Sequence, residues 1–345
     1  MTQEQWNTLL AVVNREPLDG PPVGFIIDSP WLPNWAGMSI LDYLASETLW
    51  FEANMRAIER FPDALFLPGF WAEYGMCTEP SAFGAKCAFY ENEFPFAGKV
   101  LDDIAKAGSL QKPNPKTDGL APFVLKRLQH AEPRIHETGH AIRFAVARGP
   151  LNIAGFFLGN TEFLIGLKMN PDESHALLDT ITSYIEDWLK LQAETFPSID
   201  GVLILDDLAG FVGPDDFVEF AKPYLGRTFE AIDAQVRFFH NDAEGMICAP
   251  HLADIGVNLF NFSHNHPLKD VREAAGEAVA LLGNIPPRDV LAQGSPEDVR
   301  ESVAQLLETA GAMPGLLLSC GGGMPPGVPS ENIDACIAAA ASCKA

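Results

Sequence analysis

An α/β barrel is the architecture this sequence predicts, with an open doubly wound sheet second, and three observations lead there. Five short runs are continuously apolar and bounded by Gly, Asp, Asn or His: Gly201–Asp207, Val236–His240, Val257–Ser263, Ala278–Asn284 and Gly315–Cys320. Such runs suit strands buried on both faces, as in a parallel sheet. Stretches of helical periodicity separate them, and strand–helix alternation over 345 residues fills one large barrel. Each run also ends on a polar group, and in a barrel the C-terminal strand ends share one mouth.

Taken in order, "RFAVARG" (143–149) reads as a strand entered from a helix. "NPDESHALLDTITSYIEDWLKL" reads as a helix capped by Asn170 and begun by Pro171, with Leu177, Leu178, Ile181, Ile185, Trp188 and Leu189 on one side. "GSPEDVRESVAQLLETAG" reads the same way, with Ser295 as cap, Asp298 three residues on, and Val299, Val303, Leu306, Leu307 and Ala310 as its buried stripe. No repeat or linker interrupts the chain, so residues 1–345 read as a single domain. About residues 1–60 read as an irregular, Trp- and Phe-rich covering segment.

The formal charge is −23, from 46 acidic against 23 basic residues. So acidic a surface repels phosphate backbones and anionic lipid, which argues against nucleic acid and membrane as partners. The start "MTQEQWNTLLAVVNREP" lacks the basic, then apolar, pattern of a signal peptide. No apolar run approaches the ~18 residues of a membrane span. The six cysteines (77, 87, 248, 320, 336, 343) show no CxxC spacing and read as reduced thiols, so a cytoplasmic protein is expected.

The strand ends collect Asp206 and Asp207, His240 and Asp242, His264 and His266, Asn284, and Cys320. His240 and Asp242 stand two apart, and alternate side chains on a strand point the same way, so both can reach one ion. Taken singly each has a blander reading: a hydrogen-bonded pair, a buried thiol, a loop cap, a turn residue. "CGGGMPPG" lacks the helix start of a phosphate loop, so its glycines read as room for close backbone packing. Cys336 falls in register with Ile333, Ile337 and Ala340 as helix core, and Cys77, Cys87, Cys248 and Cys343 are given no role. Trp31, Trp35, Phe70, Trp71, Phe94 and Phe96 offer an apolar wall, or are simply core. Glu73 and Glu79 come from that same region as further mouth candidates.

"ILDDLAGFVGPDDFVEFAKPYL", "HNDAEGMICAPHLADIGVNLFNFS", "LLGNIPPRDVLAQGSPEDVRESV" and "LLLSCGGGMPPGVPSENIDA" resemble the uroporphyrinogen decarboxylase superfamily. "TEPSAFGAKCAFYENEFP" and "ARGPLNIAGFFLG" extend the resemblance over most of the chain. It implies a distorted (β/α)8 TIM barrel with its site at the strand C-termini. The superfamily's decarboxylases hold a polycarboxylate tetrapyrrole with an arginine-containing N-terminal motif. The matching "FIIDSPWLPNWAGMS" has no arginine, and no Lys or Arg falls between Arg15 and Arg56. Fixed cations are what a polyanion requires, so the resemblance is closer to the other branch, the zinc- and cobalamin-dependent methyltransferases. There a His-x-Cys pair and a distant cysteine hold zinc. His240 matches the first ligand and Cys320 the last, while Asp242 stands where the family has cysteine.

The implied function is zinc-dependent methyl transfer between a small-molecule ether, thioether or thiol and a corrinoid (cobalamin), with a corrinoid protein as partner. The metal set is His240, Asp242 and Cys320. Asp207 is the candidate general base, His264 a reversible fourth ligand or proton carrier, and Asp206, Asn284, Trp71 and Glu79 contact substrate. Alternatives are a decarboxylase of a tetrapyrrole or related acid and a non-catalytic corrinoid- or tetrapyrrole-binding barrel. A minor one is a zinc peptidase, because "HETGH" (His136, Glu137, His140) fits HExxH and Glu162 lies downstream. Gly139 weakens that helix, and two exposed histidines on a connecting helix is the preferred reading.

Overall fold

A computed structural model describes residues 1–310 and 313–342. Cys343, for which no role was expected, lies outside the described residues. Among the described residues ten strands are present: β1 (Val23–Ile26), β2 (Ala64–Leu67), β3 (Cys87–Ala88), β4 (Phe96–Ala97), β5 (Phe144–Arg148), β6 (Gly201–Leu205), β7 (Val236–Asn241), β8 (Leu259–Phe262), β9 (Ala280–Ile285) and β10 (Leu316–Cys320). All but the β3–β4 hairpin join one parallel sheet of eight strands, in the order β2-β1-β10-β9-β8-β7-β6-β5. That is the circuit of a (β/α)8 barrel, curled round with β1 beside β10 and left without a ladder between β2 and β5.

A side chain covers the β5 side of that seam. The amide of Gln192, on helix Pro171–Thr195, accepts from the Val146 N–H and donates to the Val146 carbonyl, both at 3.0 Å. One glutamine thus serves Val146 on the unpaired edge of β5 as a neighbouring strand would. Gln192→Leu is expected to leave two half-buried backbone groups unpartnered and to lower the unfolding free energy by about 1–2 kcal/mol. Urea denaturation measures this, and a loss under about 0.5 kcal/mol would mean that water already serves the seam.

The predicted strands and helices lie where periodicity places them. Helix Pro171–Thr195 buries Leu177, Leu178, Ile181, Ile185, Trp188 and Leu189, and helix Pro296–Ala310 buries Val299 and Val303. Ser295 and Asp298 form a reciprocal cap, whereas the Asn170 side chain makes no capping bond. Asn170 sits at φ −141°, ψ 59°, off the extended conformation that turns a capping side chain onto the helix.

The first sixty residues are more regular than expected. They hold β1, the first barrel strand, and helices Gln3–Val13 and Glu47–Arg60. Thr2 and Gln5 close a capping box on helix Gln3–Val13, which then buries Trp6, Leu9, Val12 and Val13. These pack against inward residues at strand N-termini, among them Phe144, Val236, Leu259 and Ala280, with Trp6 edge-on to Phe144 at 5.5 Å. The barrel floor is therefore stoppered by apolar side chains, and the polar groups gather at the opposite mouth. Among the described residues, no helix is long and apolar enough to cross a membrane.

Candidate metal centre

Two neighbouring aspartates at the end of β6 have different duties. Asp206 is fully buried, and its two oxygens accept from the N–H groups of Leu151 (2.8 Å) and Asn152 (2.9 Å). Those are orphan donors in the first turn of helix Pro150–Leu158, whose own N-cap, Gly149, has no side chain to offer. A Cβ on Gly149 would lie 2.3 Å from Asp206 Oδ2, so glycine is what lets the carboxylate in. Burial pushes the Asp206 carboxyl up to about 8, against the pull of the two N–H donors. Its oxygens are thus engaged in the fold rather than turned toward a substrate.

Asp207 faces the mouth and is 38 % exposed. Its Oδ1 accepts from the Asp242 N–H at 3.1 Å and lies 3.7 Å from His240 Nε2. The His240 side chain is only 8 % exposed, and its Nδ1 sits 2.7 Å from Asn261 Oδ1. Asn261 is itself fixed, because its Nδ2 donates to the carbonyls of Leu282 (2.8 Å) and Cys320 (3.3 Å). Its oxygen must then accept from the ring, which leaves Nε2 with a free lone pair. This is how metal-binding histidines are oriented from behind. One donor atom each from Asp207, His240 and Asp242 fall within 4.8 Å of one another.

Cys320 is also at the rim but is not in that group. Its thiol is buried and points to the Gly322 carbonyl at 3.5 Å. Burial first, and Asp242 in lesser measure, push it up to about 12. The glycines that follow allow close packing: a Cβ on Gly321 would lie 2.4 Å from the His264 nitrogen, and one on Gly322, at φ +107°, would lie 2.7 Å from Asp242 Oδ2. His264 is exposed and shares a cavity of about 300 Å³ with Asp242, Arg288 and Asp289. His266 Nε2 faces Glu244 at 3.0 Å, and Asn284 donates to the His266 carbonyl at 2.6 Å.

Behind this lies a second polar layer, of which the sequence suggested only the glutamates. Arg148, at the end of β5, is buried and pairs with Glu73 at 2.9 Å, while its N–H donates to Glu79 at 3.1 Å. Glu73, Glu79, Asp28 and Asp207 all act on its charge. Burial lifts Glu73 to about 8 and Asp28, just past β1, to about 6, with Arg148 opposing both. Trp71, with Glu73, Glu79 and Arg148, lines a small interior cavity instead of an open wall.

The other aromatics have mixed fates. Trp31 and Trp35 stack and tie down Val328 and Ser330, Phe70 stacks on Phe51, and Phe96 is exposed. Phe94 lies under the Arg148 guanidinium at 5.8 Å. The HExxH pattern does not form one helical face. The helix ends at Glu137, Gly139 takes φ +77°, and His140 turns inward against Phe70, so one of the two histidines expected on the surface is buried. Glu162 is bound to Lys99 on the surface. The five described cysteines are free, with Cys336 in the core as its register requires.

Among curated relatives, uroporphyrinogen decarboxylase of Hydrogenovibrio crunogenus is 24 % identical over 98 % of this chain and 97 % of its own. That of Chloroherpeton thalassium is 32 % identical over 49 % of this chain and 48 % of its own, so that match spans about half of each. Among solved structures, a methyltransferase from Methanosarcina mazei superposes with a TM-score of 0.82 at 21 % identity, covering 99 % of both chains. A B12-independent methionine synthase from Shewanella sp. W3-18-1 gives 0.55 at 12 % identity, covering 94 % of this chain and 97 % of that one. These two likenesses establish the fold. The model of the family described as Uroporphyrinogen decarboxylase (URO-D) matches residues 5–343, nearly the whole sequence. This chain belongs to the uroporphyrinogen decarboxylase family.

Proposed function

We propose that this chain is a metal-dependent methyltransferase of that family, moving a methyl group between a small-molecule ether, thioether or thiol and a corrinoid. His240 and Asp242 hold the metal, zinc in our reading, with Cys320 the thiol that the family resemblance offers for third place. The observation that carries this is the orientation of His240: Nδ1 tied to Asn261, Nε2 aimed at carboxylates from a nearly dry position. A bound zinc would act as Lewis acid on the leaving oxygen or sulfur of the methyl donor.

The protein's own groups do the rest. Asn261 holds the imidazole tautomer, and the Asp242 N–H positions the Asp207 carboxylate. His264, exposed and lining one cavity with Asp242, would carry a proton to or from the departing group. Phe211, 65 % exposed on the loop leaving β6, gives an apolar rim against which a flat corrin ring of a carrier protein would rest. Charge argues against the decarboxylase alternative. Arg148 is tied to Glu73, and Arg288 in the mouth cavity is outnumbered by Asp242 and Asp289, so no net cation awaits a polyacid.

Metal content tests the reading. About one zinc per chain is expected by elemental analysis, lost in His240→Ala and kept in His136→Ala. Protein that binds no divalent metal would favour a decarboxylase or a binding barrel.

A further inference from the structure

Resting on that metal reading, we infer that Asp207, not Cys320, is the third protein donor, so that the centre is a carboxylate–imidazole–carboxylate site. His240 Nε2 and Asp207 Oδ1 are 3.7 Å apart. Donors at ~2.0–2.2 Å around a tetrahedral ion stand roughly 3.3–3.5 Å from each other, so small rotations of the two side chains close the gap. Asp242 completes the trio within 4.8 Å. The Asp242 N–H already holds Asp207 toward its partners, at 3.1 Å.

His240 provides an independent sign of a ligand. A side chain 92 % buried, its inner nitrogen satisfied by Asn261, directs an outer nitrogen without a hydrogen-bond partner at Asp207, with Asp242 in the same cluster. An imidazole so placed, with no hydroxyl or amide among the described residues to meet it, suits a cation.

The sulfur faces elsewhere. The Cys320 thiol meets the Gly322 carbonyl at 3.5 Å, on the glycine whose added Cβ would lie 2.7 Å from Asp242 Oδ2. Among the described residues, no group of three converging donors includes Cys320. Two carboxylates and a neutral imidazole balance a divalent ion without a thiolate. Hard and borderline ions, Zn²⁺, Co²⁺ and Mn²⁺, are then accepted, and thiophilic Cd²⁺ loses the advantage a thiolate would give it. An ion held this way draws less electron density from its ligands and polarises an ether oxygen more strongly.

Cobalt substitution provides the test. Wild-type protein titrated with Co²⁺ is expected to show ligand-field bands without the intense near-ultraviolet band of thiolate-to-cobalt charge transfer. Cys320→Ser should keep Co²⁺ affinity within about threefold, and Asp207→Asn should weaken it at least tenfold. The wild-type spectrum needs no variant to fold. A charge-transfer band that Cys320→Ser abolishes overturns the inference while leaving a metal-dependent enzyme in place. Failure of the wild type to bind Co²⁺ or Zn²⁺ overturns both.

Discussion

Replacing Arg148 with methionine is expected to lower the unfolding free energy by about 3–5 kcal/mol, the range for breaking a buried ion pair from one side. The guanidinium is buried against Glu73 at 2.9 Å, with Glu79, Asp28 and Asp207 close by. Without it these carboxylates face one another in a site that solvates them poorly. Relief comes only by taking up protons, toward which burial already tilts Glu73, Glu79 and Asp207. The double variant Arg148→Met, Glu73→Gln should therefore recover part of the loss, because it removes a charge along with its partner. Urea denaturation of wild type, both single variants and the double variant measures the coupling. A cost under 1 kcal/mol for Arg148→Met would show that water, not the arginine, keeps these acids apart.

Asp206→Ala is expected to lower stability by about 3 kcal/mol, since it strips partners from two buried N–H groups and leaves a void. Asp206→Asn should cost less, because one acceptor oxygen stays in reach of Leu151 or Asn152. Gly149→Ala should act in the same direction by pushing the carboxylate away, its Cβ being 2.3 Å from Oδ2. Thermal and urea unfolding rank the three. An Asp206→Ala protein as stable as the wild type would mean that the helix start finds other partners.

Sequence alone disclosed the wall of the barrel and part of its rim. Runs such as "GVLIL" and "LLLSC" are continuously apolar because both faces are covered, and β6 and β10 fall on them. His240, Asp242 and Asn284 were legible because they interrupt or end such runs. Asp206 and Asp207 are adjacent, and only the path of the chain decides that the first turns to a helix and the second to the mouth. Asp28 gave no signal: it follows a short strand, and reading "FIIDSPW" for a missing arginine passes over the aspartate within it. Arg148 and Asn261 look like ordinary members of their strands. Their importance comes from partners 75 and 21 residues away, a separation that periodicity cannot span. β2 is only four residues long and lacks the polar stop that marked the other strands.

The glutamine at the seam has a bearing on how this molecule breathes. Everywhere else around the circumference, parting two staves means tearing a row of main-chain bonds. Between β2 and β5 no ladder stands, and side chains, Gln192 at Val146 and Glu79 at the Arg148 N–H, cover the β5 edge instead. Deuterium should consequently reach Val146 sooner than it reaches the middle of β7, and the cylinder should come apart first along that line.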